Sequence, residues 1–155
     1  MIIHLLSGPT RSGKTTRLSA WAATEPGVAG LLMPTVPGVG RLFQDVRTGL
    51  RWPTAARPGN WQAQCVGPHR FSAAGFAWAN ETLLGAASHP ATRWLLIDEI
   101  GPLELRGLGL APALGRVLSK AAYQPENVVL VVRAALLDTI VQEFNLRRWP
   151  CQPFL

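Results

Sequence analysis

The chain has 155 residues, of which 48% are apolar and 15% charged, and its formal net charge is +6. This length is typical of one domain, which we predict to span residues 1–155, and the apolar content argues against global disorder. No apolar run reaches the roughly 18 residues of a membrane span, so we expect no membrane association.

In chain order, strands alternate with helices at both ends of the sequence, and hairpin signals occupy the middle. Hydrophobic periodicity and turn residues predict strands over residues 2–6, 28–33, 61–66, 94–97 and 127–132, and a hairpin of strands 41–46 and 50–52. They predict helices over residues 13–23, 72–87 (with Ser72 as N-cap), 110–123 and 134–144. The tail, 147–155, is predicted to be irregular or a short edge strand. This order predicts an α/β fold with a parallel core sheet and an antiparallel addition.

Residues 8–15 read G-P-T-R-S-G-K-T and match the phosphate-loop pattern G-x-x-x-x-G-K-[ST] at every fixed position. The glycines permit a tight turn whose N–H groups point inward, and the following helix directs its positive end at the same anion. Lys14 can bridge the β- and γ-phosphates, and the Thr15 hydroxyl can bind Mg²⁺. We therefore predict nucleotide binding by this loop and the next residue, that is by Gly8, Pro9, Thr10, Arg11, Ser12, Gly13, Lys14, Thr15 and Thr16.

A phosphate loop requires a second element, an apolar strand that ends in Asp and holds Mg²⁺. Only Leu95–Asp98 fits this requirement, so we predict Asp98 as the second metal residue. Glu99 follows directly and is placed to polarise a water molecule at the γ-phosphate. The alternative for Glu99 is a salt bridge to an arginine, because acidic residues often pair without any chemical role.

Three arginines could add positive charge at the transition state. Arg133 follows an apolar strand and should emerge at its carboxyl end, where ligands of open α/β sheets bind, so we predict a catalytic role for it. Arg106 and Arg11 are weaker candidates. Arg106 follows the acidic segment, and Arg11 can point to solvent or to a neighbour's nucleotide.

Two segments, G-P-T-R-S-G-K-T-T-R-L and I-D-E-I-G-P-L-E-L, together resemble the thermophile-type nucleoside-triphosphatase family, whose human member is the cancer-related nucleoside triphosphatase. The segments D-V-R-T-G and V-G-P-H-R-F between them are similar too, whereas Thr10-Arg11 stands where the family usually has small residues. The resemblance implies a RecA-like variant of the three-layer P-loop NTPase fold and hydrolysis of nucleoside triphosphates with Mg²⁺. Glu104 also matches the family's acidic motif, but neither the resemblance nor the residues around it assign it a role.

The leading functional prediction is an enzyme, a Mg²⁺-dependent nucleoside triphosphatase in which water attacks the γ-phosphate in line, with Lys14, Glu99 and Arg133 as catalytic residues. ATP and GTP are the expected substrates. A guanine-selecting N-K-x-D motif is absent, so we expect broad base specificity. One alternative is a P-loop kinase, in which an acceptor hydroxyl replaces water and Glu99 is the base. Another is a switch that hydrolyses only with a partner or nucleic acid.

The basic balance permits nucleic-acid binding, but the arginines form no block and no stripe with the aromatic residues, so nucleic acid is the less favoured partner. The amino-terminal residues lack the basic region of a secretory signal peptide, so we expect a cytoplasmic location. Cys65, Cys151 and the three histidines lack the spacing of a zinc site or a disulfide framework. These patterns carry no information on oligomeric state.

Overall fold

A computed structural model describes residues 1–59, 62–119 and 124–154 of the chain. The strands of this part are β1 Ile2–Gly8, β2 Val28–Leu32, β3 Thr35–Val36, β4 Gly40–Asp45, β5 Arg51–Pro53, β6 Ala63–Val66, β7 His69–Ser72, β8 Trp94–Ile100, β9 Asn127–Arg133 and β10 Cys151–Pro153. The helices are α1 Lys14–Ala22, α2 Ala73–Ser88, α3 Pro102–Leu105, α4 Ala111–Leu118 and α5 Leu137–Glu143, with 3₁₀ turns at Ala134–Leu136 and Leu146–Arg148. None of the helices described is long and apolar enough to cross a bilayer.

Eight strands form one mixed sheet in the order β10-β1-β9-β8-β2-β4-β3, with β5 paired to β4 outside this path. The strands from β10 to β2 run parallel, whereas β3, β4 and β5 form the antiparallel addition. A separate hairpin contains β6 and β7. One strand, β9, lies between β1 and β8 and pairs parallel with both. The predicted α/β fold with a parallel core is therefore confirmed.

The central strands are apolar at successive positions because the sheet is covered on both faces. In β9, Val128, Leu130 and Val132 belong to a core cluster that includes residues of α2, α4 and α5. Val129 and Val131, which alternate with them, belong to the cluster that includes Leu18 of α1. Burial of each such side chain stabilises the fold by about 1.5–3 kcal/mol. Helices on both sides of a sheet make the three layers that the family resemblance implies.

Most predicted elements are present, with shifted ends. The predicted N-cap of α2 is confirmed, because Ser72 Oγ accepts a hydrogen bond of 3.0 Å from the Gly75 N–H. The strand predicted over 94–97 continues to Ile100, and the helix predicted over 134–144 begins with a 3₁₀ turn. The tail contains an edge strand, β10. The predicted ends at 61 and at 120–123 lie outside the described residues.

The sequence pattern does not predict three short elements, β3, β7 and α3. Each has only two to four residues, which is too short for a periodic pattern of apolar residues to be visible. Two of the three matter for the site. The β6–β7 hairpin and α3 both border the carboxyl end of β8.

Candidate active site

The phosphate loop connects the end of β1 to the start of α1. Gly13 is the N-cap of α1 with φ +80°, a conformation that favours glycine, and no side chain caps the helix. The first N–H groups of α1 therefore have no side-chain partner and are available to an anion. Residues 9–13 are exposed, and Arg11 has φ +58° at the turn.

Lys14 lies back over this loop. Its Nζ donates hydrogen bonds to the carbonyl oxygens of Pro9 at 2.6 Å and Gly8 at 3.1 Å, and to Ser12 Oγ at 3.3 Å. The ammonium group is therefore held among oxygen acceptors within the loop. Phosphate oxygens of a bound nucleotide are acceptors of the same kind and can replace them.

The two predicted motifs meet at Asp98, which lies in β8. Thr15 Oγ1 donates a hydrogen bond of 2.7 Å to Asp98 Oδ2, and the Met33 N–H donates one of 3.0 Å to the same oxygen. The Asp98 side chain is fully buried. Burial raises the pKa of this carboxyl, although the hydrogen bonds from Met33 and Thr15 oppose the shift.

Asp98 Oδ1 is buried and has no hydrogen-bond partner among the described residues. Leaving a buried polar atom without a partner costs about 1–3 kcal/mol, so such an atom suggests a ligand. A carboxylate and a hydroxyl are oxygen ligands of the type that Mg²⁺ prefers, so Thr15 and Asp98 fit this ion. No group of three or more His, Cys, Asp or Glu that could hold a metal occurs in the described part of the chain.

Glu99 forms an ion pair with Arg41 of β4, in which Arg41 Nη1 donates to Glu99 Oε2. This is the alternative that the sequence left open for Glu99. Its backbone has φ +64°, which is uncommon for a residue other than glycine and is typical of functional sites. Only Oε2 is engaged within the described residues, so Oε1 is open to a water molecule. A role for Glu99 in activating water stays a prediction.

Arg41 is the residue at this site that sequence reasoning missed. It is one of 13 arginines among the 15 basic residues and belongs to no motif. Its position depends on β4, which pairs with β2 and not with β8. No local signal in the sequence marks this contact.

Arg133 lies at the carboxyl end of β9, as predicted. Its backbone is in register with Gly8, the first residue of the phosphate loop. Within the described residues, its side chain has no hydrogen bond and no ion pair. It shares a cavity with Glu99 and Arg41. The predicted position is confirmed, and the catalytic role stays a prediction.

Arg106 is occupied elsewhere. Its Nη2 donates a hydrogen bond of 2.8 Å to the Cys65 carbonyl and so ties β6 to the segment after α3. Arg106 is therefore a tether of the β6–β7 hairpin. Arg11 is exposed and has no partner among the described residues.

Glu104, the motif residue without a predicted role, accepts hydrogen bonds from two backbone N–H groups. Its Oε2 accepts from the Gly101 N–H and its Oε1 from the Leu110 N–H, each at 2.8 Å. The first bond caps α3, and the second fixes the start of α4. The side chain is buried, and burial raises the pKa of its carboxyl. A Cβ on Gly109, which has φ +61°, would lie 2.1 Å from Glu104 Oε1, so only glycine fits beside it.

A cavity of about 110 Å³ lies between the β6–β7 hairpin and the segment that follows Asp98. Its polar lining includes Arg41, Glu99 and Arg133, and its apolar lining includes Phe71 and Phe76. No residue of 8–16 lines it. The cavity is therefore beside the phosphate loop, on the side of Glu99.

Solved structures share this architecture. A solution structure of a human cancer-related nucleoside triphosphatase has a TM-score of 0.66 and 23% identity, over 100% of this chain and 89% of that one. A crystal structure of THEP1 from the hyperthermophile Aquifex aeolicus has a TM-score of 0.67 and 18% identity, over 99% and 89%. The chain has the P-loop NTPase fold. The predicted resemblance is thus confirmed at the level of the fold, because both TM-scores extend over nearly the whole chain. No protein-family model and no curated protein matches the sequence.

Proposed function

We propose that the chain belongs to the nucleoside-triphosphatase family that its motifs resemble, and that it hydrolyses nucleoside 5′-triphosphates to diphosphate and phosphate with Mg²⁺. The hydrogen bond of 2.7 Å between Thr15 and Asp98 carries this proposal. It joins two motifs that are 83 residues apart, and Asp98 Oδ1 is left buried without a partner among the described residues. A triphosphate with its cation supplies what this site lacks.

Binding in this proposal rests on the loop and the start of α1. The inward N–H groups of the loop and the uncapped first turn hold the phosphates, with the Lys14 ammonium beside the β- and γ-phosphates. Thr15 and Asp98 would hold the ion, which would supply positive charge to the bound triphosphate. Lys14 exchanges its bond to the Pro9 carbonyl for one to a phosphate oxygen. The absence of an N-K-x-D motif supports a broad choice of base.

The chemical step in this proposal needs an oriented water and positive charge opposite the γ-phosphate. Glu99, fixed by Arg41 through Oε2, uses Oε1 to orient the water and to take its proton. Arg133, which has no partner of its own among the described residues, stabilises the charge on the transferred phosphoryl group. Catalysis is then mainly positioning and electrostatic stabilisation.

A second candidate is transfer of the γ-phosphoryl group to an organic hydroxyl. One observation favours it, namely the cavity beside Glu99, which a reaction with water alone does not need. Glu99 serves as the base in both reactions, so the two share one binding site and differ in the nucleophile.

The test is phosphate release from ATP, GTP, CTP and UTP with Mg²⁺ by the wild type and by Glu99→Gln. We expect rates within about tenfold among the four nucleotides and a loss of about 100-fold or more in Glu99→Gln, the usual worth of a general base. Glu81→Gln, a change on the exposed side of α2, is the matched control and should keep the wild-type rate. Equal rates in the wild type and Glu99→Gln would remove Glu99 as the water activator.

A further inference from the structure

The cavity beside Glu99 is larger and more apolar than hydrolysis requires. It measures about 110 Å³, whereas one water molecule needs only about 10–15 Å³ of cavity volume. Seven of the 13 lining residues that the structure describes are apolar, among them Met33, Phe76 and Leu103. Polar partners are needed to hold water in a cavity, and the apolar part of this surface offers none. An organic molecule that covers the apolar surface gains binding free energy.

The charged side chains that line the cavity indicate which polar group such a molecule carries. Of the four charged side chains in its lining, Arg41 and Glu99 pair with each other. Both oxygens of Glu104 accept backbone N–H groups. Arg133 alone among the four has no hydrogen bond or ion pair within the described residues. A guanidinium binds a carboxylate through two parallel hydrogen bonds, and its five N–H donors leave others for a phosphate.

The wall of the cavity is already held in place. The β6–β7 hairpin is anchored by the bond from Arg106 to the Cys65 carbonyl and by one from the Gly109 N–H to Gln64 Oε1, each of 2.8 Å. At its other end, Phe71 packs against Phe76 of α2 with ring centroids 5.9 Å apart. A site formed before its ligand arrives binds more tightly, because less conformational entropy is lost.

We propose that this cavity binds a small organic carboxylate with an aromatic or branched hydrocarbon body, its carboxylate on Arg133 and its apolar body against Phe71 and Phe76. The ligand binds beside the nucleotide and not in its place, since no phosphate-loop residue lines the cavity. Bound there, it occupies the space next to Glu99 from which water attacks. This effect on hydrolysis rests on the proposed function, whereas the binding itself does not.

Benzoate is the probe, and its binding to the full chain without nucleotide is measured by saturation-transfer NMR. We expect a dissociation constant of about 1 mM, typical of so small a ligand. Benzyl alcohol, which has the same ring but no charge, should bind several-fold more weakly because it cannot pair with Arg133. Equal binding of the two would overturn the role of Arg133, and no benzoate signal at about 10 mM would overturn the site.

Adjacent positions of β6 provide a matched pair of variants. Val66 lines the cavity, whereas Cys65 is exposed and does not. Val66→Glu places a carboxylate inside and should weaken benzoate by about tenfold or more, while Cys65→Glu should bind like the wild type. His69→Glu, at an exposed position of the lining, repeats the test where folding is not at risk. Unchanged binding in both Val66→Glu and His69→Glu would place benzoate elsewhere and refute the proposal.

The two proposals fail separately. Saturating benzoate should slow phosphate release from ATP by the wild type and by Cys65→Glu, but not by His69→Glu. Benzoate binding in a chain that releases no phosphate would refute the proposed function and leave the cavity site standing. Phosphate release that is unaffected by bound benzoate would refute a site next to Glu99 and leave hydrolysis standing.

Discussion

Replacing Glu104 by Gln exchanges one carboxylate oxygen for an NH₂ group while keeping the size of the side chain. Each oxygen now accepts one backbone N–H at 2.8 Å, from Gly101 or from Leu110. Whichever oxygen is exchanged, an N–H group faces another N–H group. One hydrogen bond to a charged acceptor is therefore lost, and one buried backbone donor is left without a partner.

The magnitude follows from these contacts. A hydrogen bond to a charged group contributes about 1.5–3 kcal/mol. The variant recovers part of this stability, because the glutamine is neutral and the cost of burying a carboxylate, which raises the pKa of Glu104, is removed. We expect a net loss of about 2 kcal/mol in the free energy of unfolding, or a fall of about 4–8 °C in Tm for a domain of this size.

Urea and thermal unfolding followed by circular dichroism measure this loss. Glu81→Gln makes the same chemical change at an exposed position of α2 and should stay within about 0.5 kcal/mol of the wild type. Below its transition, Glu104→Gln should release phosphate at nearly the wild-type rate. A loss of turnover with an unchanged Tm would show that Glu104 acts in the chemistry and would refute a structural role.

Gly109→Ala puts a Cβ 2.1 Å from Glu104 Oε1 at a φ that disfavours alanine, so urea unfolding should show a loss of about 2 kcal/mol or more in the free energy of unfolding. Gly115→Ala, in open space on α4, should be neutral or stabilising, and equal effects of the two substitutions would contradict the close contact at Gly109. Burial raises the pKa values of Asp98 and Glu104 above the usual values of 3.8 and 4.5, so each of these two groups keeps its proton to a higher pH in the folded chain than in the unfolded chain. The contribution of both groups to the free energy of unfolding, measured with urea, should therefore fall as pH rises through the raised pKa values. Glu104→Gln should make this dependence on pH shallower, and an unchanged dependence in the variant would contradict the raised pKa of Glu104. Arg41→Ala removes the ion-pair partner of Glu99 and should lower kcat about tenfold with little change in KM, and Arg41→Lys should recover part of this loss. A kcat that is unchanged or higher in Arg41→Ala would show that Arg41 does not position Glu99.

The phosphate loop and its carboxylate partner could be predicted because each is encoded by neighbouring residues. Gly8 to Thr15 form a continuous motif, and Asp98 ends an apolar strand. Their meeting across 83 positions follows because the parallel strands β1 and β8 deliver both to one edge of the sheet. The same reasoning placed Arg133 at the end of β9, where the structure has it.

The partners of the other two carboxylates could not be predicted, because both depend on contacts between distant or very short segments. Arg41 reaches Glu99 from β4, whose place in the sheet is set by antiparallel pairing with β2. The role of Glu104 depends on α3, which is only four residues long, and on the N–H of Leu110. The β6–β7 hairpin encloses a cavity that no sequence pattern marks.

Phosphate release from ATP by the wild type and by Asp98→Asn, each with Mg²⁺ and then with EDTA, tests the central claim most directly. The amide oxygen of the variant side chain can still accept the hydrogen bonds of Thr15 and the Met33 N–H, but the amide lacks the charge that holds the ion. We expect steady release by the wild type that stops on addition of EDTA, and a rate lower by about 100-fold or more in Asp98→Asn. Release that persists in EDTA, or that is equal in the two proteins, would contradict a metal-dependent hydrolase at this site.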